Sequence, residues 1–268
     1  IFNIPKQLIT DYPFDNNYLD SGTSKVHSVL KDNAGNLWIA IYQKGVMMIP
    51  AQPNSFKYIG YKSINKNIIG SNCITSLCRD HKGILWIGTD NDGIYGITTE
   101  LKQKVHYAPH DSPSSVPSTV FGLYEDSEHN LWFGSYTNGL GRLDKKTGQC
   151  SYLQNLTDKN GNRIQRVYDL VEDQDKRLWI ATMGAGLFYY DLKTGQSVYD
   201  PKFNAATKKY KWISCLLYAG DNHLYVGTYD GIRCIDLSTD DFKTEEILSR
   251  HIIHSLYEDP QGNIWIGN

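Results

Sequence analysis

Gly83-Ile84-Leu85-Trp86-Ile87-Gly88-Thr89 is one copy of a stretch that recurs along the whole chain. Its tryptophan has a counterpart in four other copies and is replaced by tyrosine in one more, so that the anchors are Trp38, Trp86, Trp132, Trp179, Tyr225 and Trp265. Successive anchors are 48, 46, 47, 46 and 40 residues apart. A period of about 40–50 residues is the length of one four-stranded propeller blade, so the sequence predicts an all-β repeat protein.

Positions on both sides of the anchor agree from copy to copy. An aspartate such as Asp80 stands six residues before five anchors, whereas the tyrosine copy has Ala219. The residue 12 before the anchor is always β-branched, and the residue two after it is always Gly or Ala. We interpret these positions as structural: the aspartate fixes a turn through backbone N–H groups, the indole fills space but needs a partner for its N–H, and the small residue admits a neighbouring sheet.

Each repeat divides into four short β-rich runs, here called strands a, b, c and d, separated by polar turns. Around Trp132 these runs are Thr119–Glu125, Leu131–Gly134, Leu140–Asp144 and Cys150–Leu153. The chain begins with c-like and d-like runs, Ile1–Pro5 and Leu8–Tyr12, and ends with a-like and b-like runs, Ile252–Asp259 and Ile264–Gly267.

We therefore predict a single β-propeller domain over residues 1–268, with six four-stranded blades, one of them split between the chain ends so that no sheet edge stays open. The alternative is an excerpt of a seven-bladed ring. The predicted blades are 1–12 with 251–268, 23–61, 73–107, 118–153, 166–199 and 212–245.

Composition narrows the function classes. The net charge of −2 gives no electrostatic reason to expect nucleic acid as a partner. The sequence has no run of 18 apolar residues, so we do not expect it to insert into a membrane directly. The five cysteines follow no CxxC zinc pattern and are expected to be buried, inert thiols; no metal or cofactor is predicted. Because the chain lacks an initiator Met and stops inside a repeat, we expect it to be a piece of a longer protein.

The anchor segments resemble the two-component regulator propeller repeat, Asp-x-x-Gly-Asn-Leu-Trp-Ile-Gly-Thr followed by a Gly-aliphatic pair. The matching stretches are Asp32–Ala40, Asp80–Thr89 and Asp259–Gly267. The resemblance implies a non-catalytic sensor domain, in the periplasmic, extracytoplasmic part of a hybrid two-component system histidine kinase that detects a polysaccharide-derived oligosaccharide. It further implies that the kinase lies outside this chain, that other domains of the parent sensor are partners, and that the parent forms a homodimer.

The alternative is an enzyme, such as a propeller lyase acting on a cyclic or glycan substrate, since some lyases that open cyclic antibiotics share a similar repeat. An enzyme needs converging acid/base or metal groups. His27 and His254 hold equivalent positions on a strands, and His251 begins the second of these strands, so these three are the candidate cluster.

For a sensor, the expected ligand site is the propeller face where b–c turns and d–a links meet. The b–c turns differ between copies and are rich in Tyr, Asp and Asn, whereas c–d turns such as Asp144–Gly148 resemble one another. Aromatic rings can stack on sugars, and charged or amide groups can bond hydroxyls or acidic groups. The candidate ligand-binding residues are Tyr42, Lys44, Asp90, Asp92, Tyr136, Asn138, Arg166, Lys211, Trp212, Tyr229 and Asp230.

Overall fold

A computed structural model describes residues 2–3, 8–9, 25–41, 45–49, 51, 69–71, 73–98, 104–158, 160–199, 212–239 and 242–268. Within these residues every regular element is a β-strand. The strands are β1 Phe2–Asn3, β2 Leu8–Ile9, β3 Val26–Lys31, β4 Leu37–Ile41, β5 Gly45–Ile49, β6 Ile74–Arg79, β7 Leu85–Thr89, β8 Ile94–Ile97, β9 Lys104–Tyr107, β10 Val120–Glu125, β11 Leu131–Ser135, β12 Leu140–Leu143, β13 Cys150–Tyr152, β14 Val167–Glu172, β15 Arg177–Thr182, β16 Leu187–Asp191, β17 Gln196–Tyr199, β18 Ile213–Ala219, β19 His223–Thr228, β20 Gly231–Asp236, β21 Thr244–Ser249, β22 Ser255–Glu258 and β23 Ile264–Gly267.

The strands form antiparallel meanders in which each strand pairs with its neighbour in sequence. Four sheets have four strands each: β6–β9, β10–β13, β14–β17 and β18–β21. The predicted division of each repeat into strands a to d is therefore confirmed for these four repeats, with ends shifted by a residue or two. Strands β3, β4 and β5 form a three-stranded sheet, and the run expected to complete it falls at residues outside the described part.

Contacts divide the chain into two compact units, residues 1–72 and 73–268. The first contains the β1–β2 pair and the β3–β5 sheet; the second contains the four complete sheets and the β22–β23 pair. Each terminal pair is an antiparallel hairpin, as the split blade requires, although β22 begins at Ser255 rather than at Ile252. The joining of these two hairpins into one sheet stays a prediction, as do the blade boundaries and the number of blades.

The indole N–H of each anchor tryptophan donates to the aspartate of its own repeat. The Trp132 indole N–H donates to Asp126 Oδ2 at 2.7 Å, while Asp126 Oδ1 accepts the backbone N–H groups of Glu128 and Asn130. The same indole-to-carboxylate bond, 2.7 to 2.9 Å long, occurs in the other four tryptophan copies. One carboxylate thus closes the a–b turn and fixes the indole that follows it. In the remaining copy Ala219 and Tyr225 replace the aspartate and the tryptophan together, so neither partner is left without the other.

Adjacent sheets of the second unit pack mainly through their a strands, in the order β6, β10, β14, β18 and β22. The small residue two after the anchor lies at this contact, as predicted. A Cβ on Gly134 would lie 2.5 Å from the carbonyl oxygen of Val167 on the next a strand. Clusters of buried side chains between the sheets, including Trp132 with Leu178 and Trp179 with Leu224, form the core.

A β-bulge interrupts each of the five a–b pairs that belong to the β3–β5 sheet and the four complete sheets, always at the same place. The extra residue directly follows the β-branched residue of the a strand, and the residues at this position are His27, Thr75, Phe121, Tyr168 and Ser214. A bulge re-aims the side chain it carries, and bulges are common beside functional sites.

Candidate functional site

The b–c turn of the β10–β13 sheet is tied to the segment that leads into the next sheet. Ser135 Oγ accepts the backbone N–H of Asn138 at 2.7 Å, and the Ser135 N–H donates to the Gly139 carbonyl at 3.0 Å. Gly139 has a φ of 77° and donates its own N–H to the Gln165 carbonyl at 2.7 Å. The turn therefore holds Tyr136 beside Arg166.

The Arg166 guanidinium lies over the Tyr136 ring, with its carbon 5.0 Å from the ring centroid. Both side chains are exposed, and the tyrosine residue keeps 41% of its accessible surface. An arginine stacked on a ring in this way keeps N–H donors free to bind an anionic group, because the stacking uses its face and not its edge. These two predicted site residues are thus brought together.

Two aromatic rings at the bulge position connect Tyr136 to the next sheet. Phe121 meets Tyr136 edge to face at 5.9 Å between centroids and stacks on Tyr168 at 4.3 Å. Both rings are half-buried, so each presents part of its surface to solvent.

A shallow hollow follows Tyr168 on the side of the β18–β21 sheet. Tyr168, Met183, Trp212, Ile213 and Tyr229 line it, and it encloses no space for a water molecule. Trp212 and Tyr229 lie 5.5 Å apart between ring centroids and retain 47% and 40% of their surface. Met183 and Trp212 form an isolated antiparallel bridge, which fixes the entry of the chain into β18.

These residues form one continuous surface across three neighbouring sheets. We call it the aromatic surface; it consists of Phe121, Tyr136, Arg166, Tyr168, Trp212 and Tyr229. Four of its six members were predicted from the sequence, and the bulge residues Phe121 and Tyr168 were missed.

A sequence signal for the missed pair exists at the bulge position. In two other repeats this position holds hydroxyl residues that bond backbone carbonyls of the next repeat: Thr75 donates to Val120 O in β10, and Ser214 donates to Ile253 O just before β22. Phe121 and Tyr168 place half-buried aromatic rings at this position. The position directly follows the β-branched residue of each a strand, and its own residue type varies from copy to copy, which was visible in the sequence.

The remaining predicted candidates are less available to a ligand or lie outside the described residues. Asp90 Oδ1 accepts the Thr119 hydroxyl at 2.7 Å and so ties its turn to the segment before β10, whereas Asp92 Oδ2 accepts the hydroxyl of buried Tyr95 next to its own turn. Asn138 accepts the Thr137 hydroxyl, and Asp230 uses its backbone N–H and carbonyl to hold its turn. Tyr42, Lys44 and Lys211 lie outside the described residues.

Burial sets the electrostatics of the centre of this surface. Desolvation raises the pKa of the Tyr168 phenol, and the neighbouring Tyr229 and Tyr136 hydroxyls add to the rise, so the phenol stays neutral at physiological pH. Desolvation also raises the pKa of Asp169 to about 6, although its carboxylate accepts the backbone N–H groups of Leu170 and Leu216, both at 2.8 Å. Asp169, the residue after Tyr168, thus joins the adjacent a strands β14 and β18.

The histidine cluster of the enzyme alternative divides between the two units. His27 belongs to the first unit; His251 and His254 are exposed residues of the second, and the His251 ring contacts the Ser249 carbonyl. Their convergence stays a hypothesis.

The cysteines match the predicted inert thiols with one correction. Cys150, Cys215 and Cys234 are buried and Cys78 is half-buried, and in each case burial raises the pKa of the thiol. Cys73 is exposed, because it precedes β6 rather than lying inside a strand.

Comparison with known proteins identifies the repeat. The family model of the two component regulator propeller matches residues 68–91, 114–137, 157–184 and 247–268, each of which contains one tryptophan anchor. The resemblance of the anchor segments to this repeat is thereby confirmed. No protein with a curated description matches the chain significantly.

Solved structures share the fold at low identity. The extracellular domain assigned to a one component system of B. thetaiotaomicron matches with a TM-score of 0.63 and 23% identity, over 89% of this chain and 34% of that one. The extracellular domain assigned to a hybrid two component system of the same organism matches with a TM-score of 0.58 and 21% identity, over 98% and 40%. The β-propeller domain of Cps50 (Swd1) from Myceliophteria thermophila matches with a TM-score of 0.51 and 16% identity, over 74% and 63%.

These likenesses confirm the β-propeller fold class. The chain spans between about a third and two fifths of the length of the two bacterial structures. No helix long and apolar enough to cross a bilayer is found in the part of the chain that the structure describes.

Proposed function

For a chain that carries two component regulator propeller repeats, we propose a role as a non-catalytic sensing module in the periplasmic region of a hybrid two-component histidine kinase. Its ligand is an oligosaccharide released from a polysaccharide, and the aromatic surface is its contact site. The kinase and the remaining sensor domains belong to the parent protein, which acts as a homodimer.

The aromatic surface is the observation that carries this proposal. Sugar rings present flat faces of C–H groups, which pack on exposed aromatic rings such as Trp212 and Tyr229. Arg166 adds a planar cation at one end, and a guanidinium pairs in bidentate fashion with a carboxylate or sulfate group. The combination favours an oligosaccharide with at least one acidic group.

The shallowness of the hollow agrees with a ligand that lies across the surface. Pockets that enclose a drug-sized ligand have volumes of roughly 300–1,000 Å³, whereas the hollow beside Tyr168 encloses no space for even a water molecule. An oligosaccharide would therefore rest on the exposed rings and not enter a cavity. Further domains of the parent sensor would cover its outer side.

The protonation state of Tyr168 supports a binding role. Burial raises the pKa of its phenol, which therefore keeps its proton at physiological pH. A neutral phenol in this place is suited to stacking and to hydrogen bonding with sugar hydroxyls.

Calorimetry with a panel of neutral and acidic oligosaccharides tests the proposal. The full sensor region of the parent protein is titrated first, so that a ligand is identified. Trp212→Ala and Arg166→Ala should then weaken its binding about tenfold or more, equivalent to ~1.4 kcal/mol, while the melting temperature is unchanged.

Lys146→Ala supplies the matched control, because Lys146 is an exposed residue of the Asp144–Gly148 turn. Normal binding by both aromatic-surface variants, together with loss of binding on changing the Asp144–Gly148 turn, would place the site on the other face. Loss of Arg166 should weaken acidic ligands more than neutral ones.

A further inference from the structure

Two histidines and a glutamate meet on the a–b turns of two adjacent sheets. His81 lies between β6 and β7, Glu125 ends β10, and His129 lies in the turn from β10 to β11. His81 Nδ1 is 2.8 Å from Glu125 Oε1, and the two imidazole rings stack with centroids 3.7 Å apart. One potential ligand atom from each residue lies within 4.8 Å of the other two.

The next sheet interface shows which part of this cluster is structural. There the backbone N–H of Ser127 donates to Glu172 Oε2 at 2.6 Å, just as the backbone N–H of His81 donates to Glu125 Oε2 at 2.6 Å. Lys176 stands where His129 stands and contacts the equivalent glutamate, 3.3 Å from its Oε1. The contact between adjacent sheets therefore forms with serine and lysine in these two positions. It does not require the two imidazole rings of His81 and His129.

We propose that His81, Glu125 and His129 form a binding site for a divalent transition metal ion such as Zn²⁺. Neutral imidazole nitrogens and a carboxylate oxygen are ligands that suit zinc, and three protein ligands leave a fourth position for water. The His81 side chain keeps 33% of its surface and His129 is exposed, so an ion can enter from solvent.

Lys145 must give up its contact with Glu125 when an ion binds. Its Nζ lies 2.5 Å from Glu125 Oε1 and 3.7 Å from Asp80 Oδ2. A small movement of the flexible lysine side chain towards Asp80 keeps the ammonium paired and exposes the Glu125 oxygen.

The histidine rings must also separate for coordination. Their planes differ by 23°, so the two planes do not converge on one ion while the rings are stacked. The exposed His129 ring can rotate about its side-chain torsions to present a nitrogen beside Glu125. The bound ion would connect the β6–β9 and β10–β13 sheets, and it should raise the melting temperature, because it binds the folded state alone.

Isothermal titration of the protein without a histidine tag tests the site, with ZnCl₂ as the probe and MgCl₂ as the negative control. The unaltered protein should bind one zinc ion, and zinc should raise its melting temperature. His81→Ser and His129→Lys copy the side chains of the next interface and should each weaken zinc binding at least about tenfold, since even indirect support of a metal site accounts for 10–100-fold in affinity.

His223→Ala is the control, because His223 lies near the start of a different b strand and its ring contacts Asp221 instead. It should bind zinc as the unaltered protein does. Circular dichroism establishes whether each variant is folded. If one of the two histidine variants does not fold, the zinc affinity of the other tests the site. Absence of zinc binding by the unaltered protein, or equal affinity in the folded His81 and His129 variants, would overturn the assignment.

Discussion

Replacement of Trp132 by alanine should separate the stability of the repeat from its binding. Trp132 is 4% exposed and packs with Leu140, Leu178 and Phe188 between two sheets. Removing a buried tryptophan side chain costs about 3–5 kcal/mol of unfolding free energy, because a cavity is left. Its indole bond to Asp126 is lost as well, although Asn130 Nδ2 still donates to the same oxygen at 2.9 Å.

Trp132→Phe divides this cost into its two parts. Phenylalanine keeps most of the apolar volume and loses the N–H donor, so its cost should be about 1.5–3 kcal/mol, the range for a hydrogen bond to a charged group. Trp212→Ala is the control, since Trp212 is half-exposed and should change stability by no more than about 0.5 kcal/mol.

Equilibrium unfolding in urea measures these differences, with thermal melting as a second probe. The alanine variant should melt on the order of 10 °C lower, at about 2–4 °C per kcal/mol for a domain of this size. Oligosaccharide affinity per folded molecule should be unchanged in Trp132→Ala and reduced in Trp212→Ala. A stable Trp132→Ala protein that has lost binding would refute the structural role of the anchor.

Three further predictions concern sheet contacts, chain ends and pH. Gly134→Ala should destabilise by about 1–3 kcal/mol because the new Cβ meets the Val167 carbonyl; a melting temperature equal to that of the parent would contradict this contact. Deleting residues 1–12 should expose the edge of the Ile264–Gly267 strand and cause association, visible by light scattering, and a monomeric truncated protein with unchanged melting would exclude closure by the chain ends. The pKa of Asp169 is raised to about 6 in the folded state, so the folded state binds this proton more tightly than the unfolded state does. Protonated Asp169 therefore adds to the unfolding free energy fully below about pH 4, and this contribution is lost as the pH rises through 6. Asp169→Asn should remove that part of the pH dependence of the urea midpoint, and identical profiles for variant and parent would contradict the assignment.

The order of the β-strands could be predicted well because the same short pattern occurs in every repeat, so that the copies support one another. A single Asp-to-Trp spacing is a weak signal, but the same spacing in five copies fixes turns and strands together. Each of the four complete sheets has the expected meander, and the small residues lie where adjacent a strands approach. The indole–carboxylate bond could have been inferred from the copy in which Ala219 and Tyr225 replace both partners at once.

The candidate site was predicted less completely. Residues in b–c turns could be named from their composition, yet the sequence did not show that the carboxylates of Asp90 and Asp92 would accept hydroxyl groups of Thr119 and Tyr95. Phe121 and Tyr168 were assigned to strands, where aromatic residues normally pack in a core. Both lie at a bulge and stay half-buried, and a bulge depends on backbone register, which the pattern of residue types did not reveal.

The indole–carboxylate bond also constrains how a repeat of this kind can change over time. Substituting either partner first leaves a buried carboxylate or an indole N–H without its counterpart, so a lineage that passes through one substitution crosses a less stable intermediate. The copy with Ala219 and Tyr225 lacks both partners and still forms a four-stranded sheet. The two positions are therefore energetically coupled, and a comparison of repeats should treat them as one pair and not as two independent positions.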